Sequence, residues 1–522
     1  MREVELVLIL LAAVAVLVSI SARLSIPYPI LLVLGGLVLG FVPGLPVVQL
    51  DPHVVFVLFL PPLLYWDAAS TSWRDFRAGI RTISLLAIGL VVATTLGVGA
   101  LAHSALHLSW AAALTLGAVV SSTDPVAASS VMKRMGVPPK VIAIVQDESL
   151  INDATALVVF ASTIEALKTG SFSLGRASLE FVFVAVGGVL VGLAAGWVVH
   201  QLQHQIDEAL VSGVLRLMTP FVVYILAESV HVSGILAVVV TGLYSGRKAS
   251  TELTSEERLE SAMIWQMVTF IINGLVFILI GLQFRSILDA IDQRSTSSLI
   301  RDALLISFAV IAVRMVWVYL AGGAIRLLPP SLTGREEELD VREMTIVGWS
   351  GMRGVVALAT ALSVPWVTNS GIFAERSLIL FLTFAVILVT LVGQGLTLPM
   401  IISALGVTRG ERPAREEQRA REAMTRAALK RLDQLSREGA GSEMYGMLQR
   451  YYRNQLSRNG ASSVPGDESW VQNVRDVRRD LLDVEHRTLV DLRDQEVISD
   501  AVLQRLEREL DIEAMHLDAR VI

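Results

Sequence analysis

Residues 121–160 read SSTDPVAASS VMKRMGVPPK VIAIVQDESL INDATALVVF. Apolar runs flank this stretch on both sides, yet it carries Asp124, Asp147, Glu148, Asn152 and Asp153. An ionised carboxylate in hydrocarbon is costly, so such residues face a cavity or a partner. Several within two adjacent apolar segments point to a cation or proton site. The rest of the chain reads as what holds that site and moves it.

The surrounding composition fixes the medium. Of 522 residues, 53% are hydrophobic and 18% charged, against about 25% charged in an ordinary soluble domain. Mean hydropathy is +0.60. The chain therefore reads as an all-α polytopic membrane protein. A spanning helix needs about 20 mainly apolar residues. Thirteen candidates are centred near Leu11, Leu34, Leu60, Leu90, Leu116, Leu157, Gly188, Phe221, Val238, Ile271, Ala312, Val355 and Ile387; those near Leu34 and Val238 are short. The first, VELVLILLAAVAVLVSI, lacks a basic start and a small-residue cleavage site, so it reads as a helix rather than a removed signal peptide. An odd number places the two ends on opposite sides. Basic residues in short loops favour a cytoplasmic C-terminus and an outside N-terminus, with the loop around Arg294 counting against it.

Two domains are expected: a transmembrane domain over residues 1–407 and a helical cytoplasmic domain over 408–522. In the second, ERPAREEQRAREAMTRAALKRLDQLSREG reads as a polar amphipathic helix ended by Gly439. GSEMYGMLQRYYRNQLSRNG continues in helical register, and GASSVPGDES reads as a loop. Further on, Val497, Val502, Leu503, Leu506, Leu510 and Met515 recur near three and four apart, one apolar face. The tail reads as a packing or dimer-stabilising appendage, or as a regulatory domain.

The net charge of −6 is spread unevenly and says little about partners. No basic patch interleaved with aromatics points to nucleic acid. With 0 cysteines, disulfides and thiolate chemistry are excluded. There is no HExxH and no G-x-x-x-x-G-K-[ST], so neither a zinc protease nor ATP-driven transport is supported. No cofactor is expected.

The chemistry begins at Thr123–Asp124–Pro125. Proline lacks an N–H and pushes Asp124 out of helical geometry. Asp124 lies about fourteen residues into its segment, roughly 20 Å deep at 1.5 Å per residue. A helix broken there leaves free backbone groups, tolerated only against protein or a water-filled cavity, and broken helices build ion sites in many transporters. In the next segment Ser149, Asn152 and Asp153 fall at i, i+3 and i+4 and share a face. Hard cations prefer such oxygen ligands. A carboxylate that holds either a proton or a cation gives obligatory exchange. Asp147 reads as an interfacial cap near the helix start. Glu148 needs a counter-charge, for which Arg314 and Arg353 are the intramembrane candidates; Arg353 sits between Gly351 and Gly354, where close helix approach is possible. Asp67 reads equally as lining the ion path or as marking a helix end.

At these residues the chain resembles the monovalent cation–proton antiporters, in the electroneutral sodium/proton exchanger branch. The matching elements are FLPPLLYWDA (59–68), SSTDPVA (121–127), DESLINDATALVVF (147–160), the Arg314 helix and GMRGVVALA (351–359), in the family's order and over roughly residues 4–405. The resemblance implies two inverted repeats, a core with two crossing discontinuous helices, and a dimerisation part, hence a homodimer in the plasma (inner) membrane. It implies that Asp153 binds the ion and the proton, and that Asn152, Ser149, Thr123 and Asp124 are ligands or organisers, with Na+ held at Asp153, Ser149, Thr123 and Asp124. It pairs Glu148 with Arg314, puts Arg353 at the helix crossing and aligns Asp67 with an acidic residue of the site in some members. Asn152 before Asp153 implies one cation for one proton, in the service of pH and sodium homeostasis. K+ or Li+ in place of Na+ stays open. An intramembrane aspartyl enzyme using Asp124 and Asp153 is opposed by the Asn-Asp pair and the arginine helices. A sensor with the tail as output lacks any kinase or nucleotide motif.

Overall fold

The structure, a computed structural model, describes residues 2–24, 26–42, 51–71, 73–169, 174–206, 208–289, 291, 295–327, 339–368, 371–373, 375–407, 411–438, 445–446, 448–449, 452, 468–495 and 497–519. In chain order the helices are α1 (Arg2–Leu24), α2 (Tyr28–Gly40), α3 (Pro52–Val54), α4 (Leu60–Ser70), α5 (Trp73–Leu106), α6 (Trp110–Val119), α7 (Pro125–Met135) and α8 (Pro139–Thr169). There follow α9 (Leu174–Gln203), α10 (Ala209–Ser229), α11 (Gly234–Glu252), α12 (Ser255–Asp289), α13 (Thr296–Leu327), α14 (Val341–Trp349) and α15 (Val355–Leu362). The last are α16 (Arg376–Leu388), α17 (Gly395–Leu405), α18 (Glu411–Glu438), α19 (Glu468–Asp494) and α20 (Asp500–Ala519).

The thirteen centres all fall within these helices. Among the described residues, nine helical runs are long and apolar enough to cross a membrane by length and composition, and Tyr28–Gly40 and Trp110–Val119 are shorter apolar helices. Near Val355 the segment divides into α14 and α15, each too short to span alone. Among the described residues the fold is all-α apart from one small feature absent from the sequence reading. Strands β1 (Val367–Thr368) and β2 (Gly371–Ile372) pair antiparallel in a short hairpin.

Local chemistry sets the helix limits. Pro61 and Pro62 cannot donate back along the rod from α3 to α4, and the preceding turn Val55–Phe59 widens into a π-helix. Asp340 closes a capping box with Glu343 at the start of α14. Gly136 ends α7 with φ +70°, a left-handed conformation in which a side chain would be strained.

The chain forms two compact units: residues 1–246 with 265–408, and residues 247–264 with 409–522. In the first, α5 packs on α6, α8 and α13, α13 packs on α14 and α16, and α7 packs on α17.

In the second unit, α18, α19 and α20 pack their apolar faces together around Met424, Leu482, Leu489 and Leu506. Val497 does not join that face. It precedes α20 and is exposed, while Ile498 turns inward in its place. The side chain of Met515, Gly439, and most of 441–468, where the helical continuation and the loop were expected, lie outside the described residues. Arg258 is held within this unit by Asp511, with Nε–Oδ2 at 3.0 Å and Nη2–Oδ1 at 2.5 Å.

Glu485 of α19 is 5% exposed. Burial pushes its carboxyl up to about 7, with Arg478 and a Tyr452 hydrogen bond opposing and Glu513 adding to the rise. Between the ordinary glutamate value of 4.5 and about 7, the folded unit holds the proton more tightly than the unfolded chain does. Stability therefore falls as pH rises across that window. Hydrogen-exchange protection of residues 468–519 in the full-length protein, corrected for intrinsic rates, is expected to drop accordingly. Glu485→Gln flattens the dependence; an unchanged slope in that variant contradicts the assignment.

Candidate ion-binding site

Two helix interruptions face each other. In the first, α6 ends at Val119, and Asp124 starts α7 by accepting the Val126 N–H at 2.8 Å, with Pro125 in the first turn. A carboxylate cap followed by proline satisfies a free N–H and needs none from proline. In the second, residues 350–354 join α14 to α15. The Asp124 N–H donates to Met352 O at 2.8 Å. Arg353 Nε donates to Val120 O at 3.0 Å and Nη1 to Gly351 O, while the Arg353 backbone N–H donates to Thr390 Oγ1 at 3.1 Å. Backbone groups freed at each break thus find partners at the other, which makes a break tolerable at that depth.

Glycine is required at this crossing. A Cβ on Gly354 would overlap the Asp124 carboxylate, and one on Gly351 would overlap the Arg314 side chain. Only a hydrogen at these positions lets both charged side chains come so close.

Helix α8 supplies the other wall. It begins at Pro139, so residues 148–153 lie in its interior. Ser149 Oγ donates to Thr123 O at 2.5 Å. Asn152 Nδ2 donates to Ser121 O at 3.3 Å and to Thr123 Oγ1 at 3.1 Å. Asp153 Oδ1 accepts from Ser122 Oγ at 2.5 Å. Among the described residues, Asn152 Oδ1 is buried with no internal partner.

Glu148, five residues before Asp153, is treated very differently. It is 0% exposed and meets Arg314, also 0% exposed, in a bidentate pair. Nη1–Oε1 is 2.6 Å and Nη2–Oε2 is 2.9 Å. The same guanidinium donates to Gly348 O at 3.2 Å and Val347 O at 3.1 Å, closing the C-terminal end of α14. Arginine's planar fork suits such a two-point contact while leaving donors for carbonyls.

Thus Thr123, Asp124, Ser149, Asn152 and Asp153 come together at the first break, with Glu148 and Arg314 alongside and Arg353 bridging to the second. Asp67, partly buried on α4, lies within electrostatic range of Asp124 and Asp153. Among the described residues its carboxylate makes no hydrogen bond to them.

Asp147 is not an interfacial cap. Helix α8 starts eight residues earlier, and Asp147 is 4% exposed and accepts from Thr71 Oγ1 at 3.3 Å. The Val-Pro-Pro run before Lys140 moved the start upstream, because proline suits a first helical turn.

Two site contacts escaped the sequence reading. Ser122 was one of three consecutive hydroxyl residues in a non-helical turn, where no periodicity says which way each points. Thr390 lay in an apolar run and would ordinarily bond its own helix, as it also does to Val386 O at 2.8 Å.

A family model described as "Sodium/hydrogen exchanger, transmembrane" matches residues 9–404. A Mycobacterium tuberculosis protein named an uncharacterized Na(+)/H(+) exchanger is 36% identical over 518 residues, 97% of this chain and 95% of that protein. A Bacillus subtilis sodium, potassium, lithium and rubidium/H(+) antiporter is 34% identical over 76% of this chain and 61% of its own length. The structure of the sodium proton antiporter MjNhaP1 from Methanocaldococcus jannaschii matches with a TM-score of 0.61 at 21% identity, covering 78% of this chain and 99% of that one. At that identity the match speaks for the fold alone.

Proposed function

The chain belongs to the sodium/hydrogen exchanger family, and we propose that it exchanges Na+ for H+ across the plasma membrane through a single shared carboxylate, Asp153. The contrast between Glu148 and Asp153 carries this reading. Both are buried on one helix, but Glu148 is neutralised by Arg314, whereas among the described residues no cationic side chain bonds Asp153. A buried charge without a partner is strongly disfavoured. Asp153 is therefore neutral when protonated and stable when ionised only with a mobile cation beside it. Proton and cation take turns, and neither leaves the group bare.

For the cation, Thr123, Asp124 and Ser149 supply further oxygens, and the unpaired amide oxygen of Asn152 adds another. Hard monovalent ions fit such an all-oxygen set. Asn152 is neutral in both states, so one proton is exchanged for one cation and the cycle is electroneutral. Asp67 lines the approach to Asp124. The crossing breaks and α8 move together between the two faces of the membrane, in a homodimer with the C-terminus cytoplasmic and the N-terminus outside. Such exchange serves pH and sodium homeostasis.

The name of the Bacillus relative favours a second reading, a site that also takes K+ and Li+. Purified protein in liposomes, given an imposed pH gradient and Na+, K+ and Li+ in turn, separates the two. Dissipation by Na+ is the expected result. A response to K+ alone replaces Na+ by K+ as substrate, and no response to any cation overturns exchange.

A further inference from the structure

We infer that Thr71 and Asp147 form a latch that closes the cytoplasmic side of the ion path and opens once in every transport cycle. This rests on the exchange reading above and adds the contact that has to break for it.

The two helices that meet at this contact are anchored to different neighbours. Helix α4 packs on α10. It also lies backbone against backbone on α11: a Cβ on Gly242 would overlap Tyr65 O, and one on Gly246 would overlap Ala69 O. Helix α11 is tied in turn to α9, where Thr241 Oγ1 donates to Gly192 O at 3.0 Å. Helix α8 instead packs on α5, α6 and α7 and carries Asp153. Any motion that takes α8 and the two breaks past α4 therefore parts Thr71 from Asp147.

Asp147 and Glu148 are neighbours on α8 and point about 100° apart. Glu148 meets Arg314 of α13 and stays among the helices that hold the site. Asp147, 4% exposed, reaches the end of α4, where its Oδ1 accepts from Thr71 Oγ1 at 3.3 Å. This bond is made to release. A hydroxyl has one proton to donate, and Thr71 shares it with Asp67 O, 2.9 Å away in its own last turn. When α8 withdraws, the proton passes wholly to Asp67 O, and no group of α4 is stranded. Ser70 Oγ donates to the same carbonyl at 3.1 Å, so the helix end is satisfied whichever way Thr71 turns.

The position fits the role. Thr71 lies one turn beyond Asp67 and is followed by Arg74 and Arg77, while Lys133, Arg134 and Lys140 precede Asp147. Basic residues gathered near segment ends mark the cytoplasmic face. The latch thus stands at the cytoplasmic mouth of the approach that Asp67 lines, and Asp147 turns to water there when it opens.

The chain has 0 cysteines, so introduced thiols report alone. The test is Thr71→Cys with Asp147→Cys in liposomes, bridged by oxidation or by a short bifunctional thiol reagent. Cation-driven proton flux is expected to fall to the background of empty vesicles when the pair is bridged, and to return on reduction. As a control, Gly97→Cys with Val313→Cys joins α5 to α13, where a Cβ on Gly97 would lie 3.0 Å from Val313 Cγ2. Both helices belong with α8, and bridging them is expected to leave flux at the rate of the reduced control. A bridged Thr71→Cys, Asp147→Cys protein that exchanges as fast as its reduced form overturns the inference. Equal loss from the control bridge does so too, since the block is then not particular to this contact. Should the double variant not fold, Asp147→Cys alone is labelled with a membrane-impermeant maleimide at the cytoplasmic face of inside-out vesicles. Labelling that speeds up under an imposed pH gradient with Na+ supports the latch; an unchanged rate overturns it. Wild-type protein without cation-driven proton flux overturns the exchange reading alone, and the labelling rate under the gradient then still decides the latch.

Discussion

Asp153→Asn abolishes cation-dependent proton flux while the protein still folds. The substituted amide oxygen keeps the position of Asp153 Oδ1 and still accepts from Ser122. Local geometry is retained, and a carboxylate that is costly to ionise in the interior is gone. The melting temperature of purified protein is therefore expected to stay level or rise, while flux in liposomes falls to the background of empty vesicles. What is lost is the alternation itself, since an amide neither releases a proton nor offers a full charge to a cation. Wild-type flux from this variant would move the exchanging group elsewhere; Asp124 would be the next candidate, although its Oδ1 is committed to the Val126 N–H at 2.8 Å.

Glu148→Gln should do the reverse, with a large loss of stability and a small effect on ion affinity. Arg314 would keep its bonds to Val347 O and Gly348 O and one bond to the amide oxygen, but at 0% exposure it would lose its counter-charge and face an NH2 in place of the second carboxylate oxygen. Breaking a buried pair by removing one partner costs about 3–5 kcal/mol, most of it the penalty on the charge left behind. A clear drop in thermal melting is expected, with the apparent KM for Na+ close to wild type. Replacing both members, as Glu148→Leu with Arg314→Met, removes the stranded charge and recovers part of the loss. Unchanged melting beside a large loss of affinity would mean that Glu148 belongs to the ion site and not to the frame around it.

These two outcomes separate roles that look alike in one dimension. Glu148 and Asp153 are both carboxylates in the same apolar helix. Spacing alone places Ser149, Asn152 and Asp153 on one face, because a helix has fixed periodicity. Pro125 alone marks the break at Asp124, because a missing N–H and a restricted neighbour are properties of the residue itself. The all-helical membrane architecture follows from long apolar runs, in which only a helix satisfies every backbone group within its own segment. Asp147 resisted the same reasoning. Its place depended on where α8 begins, and helix boundaries are set by caps and tertiary contacts as much as by propensity.

By itself, then, the sequence determined the helical membrane class, the break at Pro125, the oxygen-rich face of α8 and the presence of two arginines within apolar runs. It did so because each rests on local periodicity, on proline and glycine geometry, or on the cost of charge in hydrocarbon. Only the tertiary structure decided which arginine meets Glu148, that Arg353 joins Val120 O and Gly351 O at the crossing, and that Ser122 rather than Ser121 reaches Asp153. Those pairings link residues up to 233 positions apart. They depend on how rigid helices pack, and no local pattern in the chain encodes the direction of a side chain that leaves a broken turn.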